Sequence, residues 1–300
     1  MIVMRIATDE VQGRCHTIAP MRKILLFAVV IAAFAFTAAA QIPEGDQHWN
    51  ARAEGHVGGH AKAAQIDAAI AAYQKAVAQD PNNLEARWKL LRAMRFKGAY
   101  VATTVDEKKN VYGAAKTAGE SALAVIDRFL AAKHVKSDAP EKQVADAART
   151  IAGAGEVFLW DSANWGEWAL AYGKMAAVRQ GAADRIRREA TIAMLINPKM
   201  DGGGPQRILG RLHDMTPHVP FLTGWASSNE AVRFLREAYK LDPANKITRV
   251  FLADALVSND SKKNSAEAIR ILQDVINSPN DPSFEVEGAK AQEDAKAMLH

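Results

Sequence analysis

Residues 231–243 read Ala-Val-Arg-Phe-Leu-Arg-Glu-Ala-Tyr-Lys-Leu-Asp-Pro, and this stretch decides the fold. Its pattern is a small residue, a large one four positions later, an alanine three further on, and a proline five after that. Residues 69–81 repeat the pattern at the same spacing, and residues 268–275 repeat it with Val275 in place of the second alanine and without the proline. Helical spacing that recurs along a chain and ends at proline predicts repeated helices joined by short turns.

The rest of the chain supports helices and gives few strand signals. Apolar residues three and four apart predict amphipathic helices, whereas no sustained alternation of period two is present. The predicted apolar faces are Ile66, Ile70, Tyr73 and Val77; Val232, Leu235 and Tyr239; and Ile269, Leu272 and Ile276. The predicted helix starts are the capping boxes Thr104–Glu107 and Ser227–Glu230, Asn82 with Glu85, and an asparagine cap after Pro243. The sequence therefore predicts an all-α fold.

This spacing resembles the tetratricopeptide repeat (TPR) family, in which an alanine of the second helix packs on the first and proline ends each unit. The resemblance implies a right-handed α-solenoid of stacked antiparallel helix pairs. One pair cannot bury its apolar face alone, so neighbouring pairs must cover it. We expect about ten or eleven helices in a single TPR-like domain over residues 41–300, with an irregular connector at 199–226.

The first forty residues are predicted to act in the export of the chain rather than to fold with the rest of it. In residues 21–40, two cations precede the apolar run Ile24–Phe36, and small residues follow up to Ala40. This layout predicts a signal peptide cleaved after Ala40, and hence a periplasmic or secreted protein with no membrane span after cleavage. The alternative is a membrane anchor, for which the run is shorter than the ~20 residues required. Residues 1–20 are interpreted as an extension from an upstream start.

Composition excludes several classes of protein. With 49% apolar and 24% charged residues, the chain is an ordinary globular sequence, and a net charge of +4 gives no support for nucleic-acid binding. A single cysteine excludes a disulfide framework and a cysteine-rich zinc module. No nucleophile elbow or phosphate-binding loop occurs, so we predict no catalysis and no cofactor. His48, His56 and His60 are interpreted as exposed side chains rather than metal ligands.

Two features are candidate binding sites. Trp160, Trp165, Trp168 and Tyr172 line either a binding groove or a helix interface. In the segment 199–226, three glycines and Pro205, which is expected at the first helical position, lead into Arg207 and Arg211, and a loop holds Phe221 and Trp225. That segment is either a site for an anion or carboxylate or a structural connector.

The last third of the chain is also similar to exported tetratricopeptide proteins grouped with the T-component of TRAP transporters. This resemblance implies a helper protein that contacts a transport or envelope partner, with an internal apolar ligand pore. The leading hypothesis is an exported scaffold that binds a protein or peptide on its concave face. The alternative is a periplasmic accessory protein that binds a small molecule for a TRAP-type transporter. The predicted binding residues are Trp160, Trp165, Trp168, Tyr172, Arg207, Arg211, Phe221 and Trp225.

Overall fold

A computed structural model describes residues 41–220 and 223–300 of the chain. The described residues form twelve α-helices and no β-strand, which confirms the all-α class. The predicted extension, the signal peptide and Phe221 lie outside them. The helices are α1 (41–50), α2 (Ala63–Gln79), α3 (Leu84–Tyr100), α4 (Val105–Ala132), α5 (Glu141–Ala148), α6 (Ala154–Tyr172), α7 (Lys174–Arg179), α8 (Ala182–Ile196), α9 (Gly204–Met215), α10 (Ser228–Leu241), α11 (Lys246–Asn277) and α12 (Glu285–Met298).

The helix ends follow the predicted turn chemistry in part. Thr104 and Glu107 form the expected capping box, and the side chain of Asn245 accepts a hydrogen bond from the Thr248 N–H. The cap of α3 is Asn83 rather than Asn82. Ser227 makes no side-chain capping bond, so the capping box predicted there is wrong. Arg233 instead holds the Glu230 carboxylate at 2.6 Å.

The difference between these caps gives a direct prediction. The variant Asn245→Ala should lower the free energy of unfolding by about 1 kcal/mol, because it leaves N–H groups of the first turn of α11 without an acceptor. Ser227→Ala is the matched control and should change stability by less than about 0.5 kcal/mol, since no capping bond is lost. Urea unfolding followed by circular dichroism measures both, and equal losses would contradict the assignment.

The small residues of the repeated pattern lie in the core. Ala69, Ala231 and Ala268 are each at most 1% exposed. Tyr239 and Ile269, which were placed on apolar faces, are instead 37% and 44% exposed. The buried stripe of each helix follows the alanine and the large residue four positions later, so these two side chains fall at its edge.

Two series of helix contacts organise the molecule. Helices that follow each other in the chain pack together, as α2 does with α3, α3 with α4, α8 with α9, α9 with α10, and α10 with α11. In addition α3 contacts α6, α6 contacts α9, and α9 contacts α11. Asp260 has extended backbone angles within α11 and divides it into two arms.

The two ends of the described chain also meet, which the sequence did not predict. The Arg52 guanidinium lies 2.9 Å from the Glu287 carboxylate of α12, and the Gly59 N–H donates to Glu293. Val286 of α12 packs in the same apolar cluster as Phe96 of α3. The last helix is therefore fixed to the first third of the chain.

Glycine residues determine the backbone conformation at the start of the segment 199–226. Asp201, Gly202 and Gly203 all have positive φ angles, and α9 begins at Gly204, so Pro205 is its second residue rather than its first. A Cβ at position 203 would lie 3.0 Å from the Cα of Ala238 in α10, so that position requires glycine. This close approach favours the interpretation of the segment as a connector.

Candidate binding face

One side of α3 carries aromatic and cationic side chains that are partly exposed. Trp88, Arg92 and Arg95 are four and three residues apart, so they share a face of the helix, and each is half-buried. The Arg92 guanidinium lies 3.9 Å from the ring centroid of Trp49 and 4.9 Å from that of Trp88. We call this side of α3, together with Trp49, the Trp-Arg face.

Of the two arginines on the Trp-Arg face, Arg92 is the one whose charge is less offset by neighbouring negative charges. Within the described residues it has no carboxylate oxygen within 4.0 Å, and its Nε is buried without a hydrogen-bond partner. Burial lowers the pKa of Arg92, while Tyr73 and Asp46 act in the opposite direction. A guanidinium stacked on two rings keeps its in-plane N–H groups available for an acceptor.

The Trp-Arg face continues onto α6 through a polar bridge. Arg95 donates to Glu167 at 3.1 Å and to the Tyr100 hydroxyl at 3.2 Å. Burial raises the pKa of Tyr112, and the nearby Glu167 carboxylate raises it further, so this hydroxyl stays protonated. The sequence gives no indication of a role for Arg92, Arg95 or Glu167, because isolated charges on a helix carry no distinguishing pattern.

The two arginines predicted to bind an anion already have carboxylate partners. Arg207 lies 2.5 Å from Asp201 and donates to the Thr248 hydroxyl of α11 at 3.3 Å. Arg211 bridges Asp214 at 2.7 Å and Asp254 of α11 at 2.6 Å. Both therefore connect α9 to its neighbours, which favours the connector over an anion site.

Two of the predicted groove tryptophans belong to the core. Trp165 is 1% exposed and Trp168 is 6% exposed, so neither ring offers a surface to a ligand, which favours the helix interface over the binding groove. Trp165 is held between Lys116 at 5.0 Å and Arg185 at 4.4 Å. Tyr172 stacks on Trp168 at 4.7 Å and remains 40% exposed.

The other predicted aromatic residues lie apart from this cluster. Trp160 is half-buried and packs against a different apolar cluster, formed mainly by α3, α4, α5, α6 and α8. Trp225 is half-buried, donates from Nε1 to Asp184 at 3.0 Å, and lies under the Arg187 guanidinium at 4.6 Å. The seven predicted binding residues that the structure describes therefore do not converge on one site.

A buried pair of acids lies beneath Trp165 and was missed by the sequence analysis. Asp161 of α6 is 0% exposed and Glu189 of α8 is 5% exposed, and Arg185 lies 3.0 Å and 2.9 Å from their carboxylates. Burial raises the pKa of Glu189 well above its usual value, and the Asp161 charge adds to this. A Cβ at Gly119 would overlap the Asp161 carboxylate. The acids are enclosed, which fits a structural role.

His48 lies in α1, whereas His56 and His60 lie in the turn region that follows it rather than on one helix face. His56 lies 3.5 Å from Glu285 of α12, and His60 pairs with Val57 through the backbone. Among residues 41–220 and 223–300, no group of three or more His, Cys, Asp or Glu side chains is placed to hold a metal ion. In the same ranges, no helix combines the length and hydropathy needed to cross a bilayer.

No protein-family model matches the chain, and no curated protein was found to be similar to it. The resemblance to tetratricopeptide repeats therefore remains a prediction from residue spacing.

Proposed function

We propose that this protein is an exported, non-catalytic scaffold that binds a protein or peptide partner. In this proposal the helix pairs stack as a right-handed, TPR-like α-solenoid, and the contact series α3, α6, α9 and α11 forms its concave side. The partner occupies the part of that side that carries the Trp-Arg face. The single observation that carries the proposal is Arg92 stacked on Trp49 and Trp88 without a carboxylate partner in the described residues.

The chemistry of this face favours a peptide with an acidic and an apolar side chain. Trp and Arg contribute most strongly to protein interfaces, because large rings bury much area and a guanidinium binds a carboxylate through two N–H groups. Arg95 is compensated by Glu167, so the uncompensated charge falls at Arg92. A carboxylate of the partner would complete that position, and the exposed edges of Trp49 and Trp88 would cover the neighbouring apolar side chain.

Recovery of partners from an envelope fraction tests the proposal. Immobilised protein comprising residues 41–300 should retain a stoichiometric partner, and Arg92→Ala should weaken the purified complex at least tenfold, which corresponds to about 1.4 kcal/mol. The matched control is Arg179→Ala, an exposed arginine of α7 that lines no part of this face. Failure to recover a partner, or equal affinity for both variants, would count against the proposal. Melting temperatures of the variants identify any loss caused by unfolding.

The alternative hypothesis, an accessory protein for a TRAP-type transporter, depended on the segment 199–226, which contains Arg207 and Arg211, and on the aromatic residues between 160 and 172. An anionic ligand there would have to displace Asp201 or Asp254 from a short ion pair. This cost makes the segment 199–226 a poorer site than the Trp-Arg face.

A further inference from the structure

A recess that is open to solvent on one side lies between α2 and α4, with α3 as its floor, and has a volume of about 270 Å³. Its walls are mainly apolar, formed by Val77, Leu90, Met94, Ala114 and Ala118. The residues that α3 contributes, at positions 87, 90 and 94, lie on the side of the helix opposite to positions 88, 92 and 95. The recess is therefore separate from the Trp-Arg face, and nothing about it depends on the proposed partner.

One end of the recess carries a buried cation. Arg87 is 8% exposed and donates to the Pro81 carbonyl at 2.7 Å and to the Ser121 hydroxyl at 3.0 Å. Its Nε also donates to Pro81, so three of its five N–H groups are used and two remain. In the part of the chain that the structure describes, no carboxylate oxygen lies within 4.0 Å of this guanidinium.

A second arginine faces the same end. Arg128 of α4 is exposed, donates to Asn82 at 2.7 Å, and has no carboxylate partner within 4.0 Å among the described residues. Burial lowers the pKa of Arg87, and the charge of Arg128 lowers it further, whereas Asp80 offsets a part of this. Two like charges beside an apolar wall are stabilised by an anion placed between them.

The size and lining of the recess restrict the occupant. Drug-sized ligands occupy pockets of roughly 300–1,000 Å³, so this recess fits a smaller molecule. Five of the nine lining side chains are apolar and suit an alkyl chain, whereas Gln74, Thr117 and Ser121 supply the polar acceptors of the lining. We infer that the recess binds a medium-chain carboxylate, with its alkyl tail between α2 and α4 and its head group at Arg87 and Arg128.

Calorimetric titration of the protein with decanoate tests the inference. Two further ligands serve as controls: decanol lacks the charge, and acetate lacks the alkyl tail. Decanoate should bind with a stoichiometry of one, and decanol and acetate at least tenfold more weakly. Arg128→Gln should weaken decanoate binding about tenfold, and Ala114→Phe should abolish it by filling the recess. Positions 114 and 128 are exposed, so both variants should fold.

The controls are Arg179→Gln, at another exposed arginine, and Ala131→Phe, at an exposed alanine of α4 that does not line the recess. Both should bind decanoate as the unmodified protein does. The inference is overturned if decanoate does not bind, if Ala114→Phe binds it normally, or if decanol binds as tightly as decanoate.

Discussion

Replacing Glu287 with alanine is expected to lower the free energy of unfolding by about 3–5 kcal/mol, because it leaves a buried charge unpaired. Arg52 is 6% exposed and Glu287 is 8% exposed, and Nε and Nη2 of Arg52 both donate to the same carboxylate oxygen, at 3.1 Å and 2.9 Å. The rings of Trp49 and Phe96 cover the guanidinium at 4.3 Å and 5.5 Å. Water therefore cannot easily replace the lost carboxylate.

Urea unfolding measures this loss, and two further variants separate its causes. Asp146→Ala removes an exposed carboxylate 2.6 Å from Lys142 and should cost less than about 1 kcal/mol. The double variant Arg52→Met with Glu287→Leu removes both charges and should recover most of the stability, because apolar residues of similar volume often replace a buried ion pair without loss. A Glu287→Ala loss as small as that of Asp146→Ala would contradict the prediction.

Hydrogen exchange should also show which segments of the Glu287→Ala variant unfold locally. The ion pair joins residues that are 235 positions apart, and Val286 beside it packs with Phe96. We expect amide protection to fall first in residues 51–62 and in α12, since the ion pair joins these two segments. A uniform fall across all helices would mean that α12 does not detach separately from the rest of the chain.

The local features of the fold were predictable, whereas contacts between distant segments were not. Ala231 marks a buried helix contact, and Pro243 marks the end of the same helix. Both features depend on residues that are close together in the sequence. The pairing of Arg52 with Glu287 has no such signal, since neither residue lies in a pattern that includes the other. Periodicity places a side chain on a helix face but does not say what covers that face.

The residues of the candidate site could be predicted from the sequence only to the same limited extent. Trp165 and Trp168 have the spacing of a groove lining, yet α4 and α8 cover them, because aromatic residues at helical spacing look alike in a core and in a groove. Arg92 is the reverse case, since one of the three arginines in α3 gave no reason to expect two tryptophan rings around it. Trp49 comes from α1, and only the packing of α1 on α3 brings it to Arg92.

The contribution of the buried acid pair to the stability of the protein should decrease as the pH rises above about 4.5. Glu189 has a usual pKa of 4.5, which burial and Asp161 raise in the folded state while Arg185 partly opposes them. Its contribution to stability is complete below the unfolded pKa and is lost as the pH rises through the folded pKa. Arg185 of α8, Asp161 of α6 and Glu120 of α4 are the charged groups that act on the pair.

The variant Glu189→Gln isolates this effect, because glutamine has a similar shape and cannot ionise. Between pH 4.5 and the folded pKa, its free energy of unfolding should rise relative to the unmodified protein by up to about 1.4 kcal/mol per pH unit. Glu107→Gln is a control that should show no such slope in this range, because hydrogen bonds from Thr104 and Thr103 lower the pKa of Glu107 and confine the pH dependence of its contribution to pH below 4.5. Urea unfolding of the three proteins between about pH 5 and pH 9 measures the slopes. Parallel curves for Glu189→Gln and the unmodified protein would show that Glu189 is ionised in the folded state throughout this range.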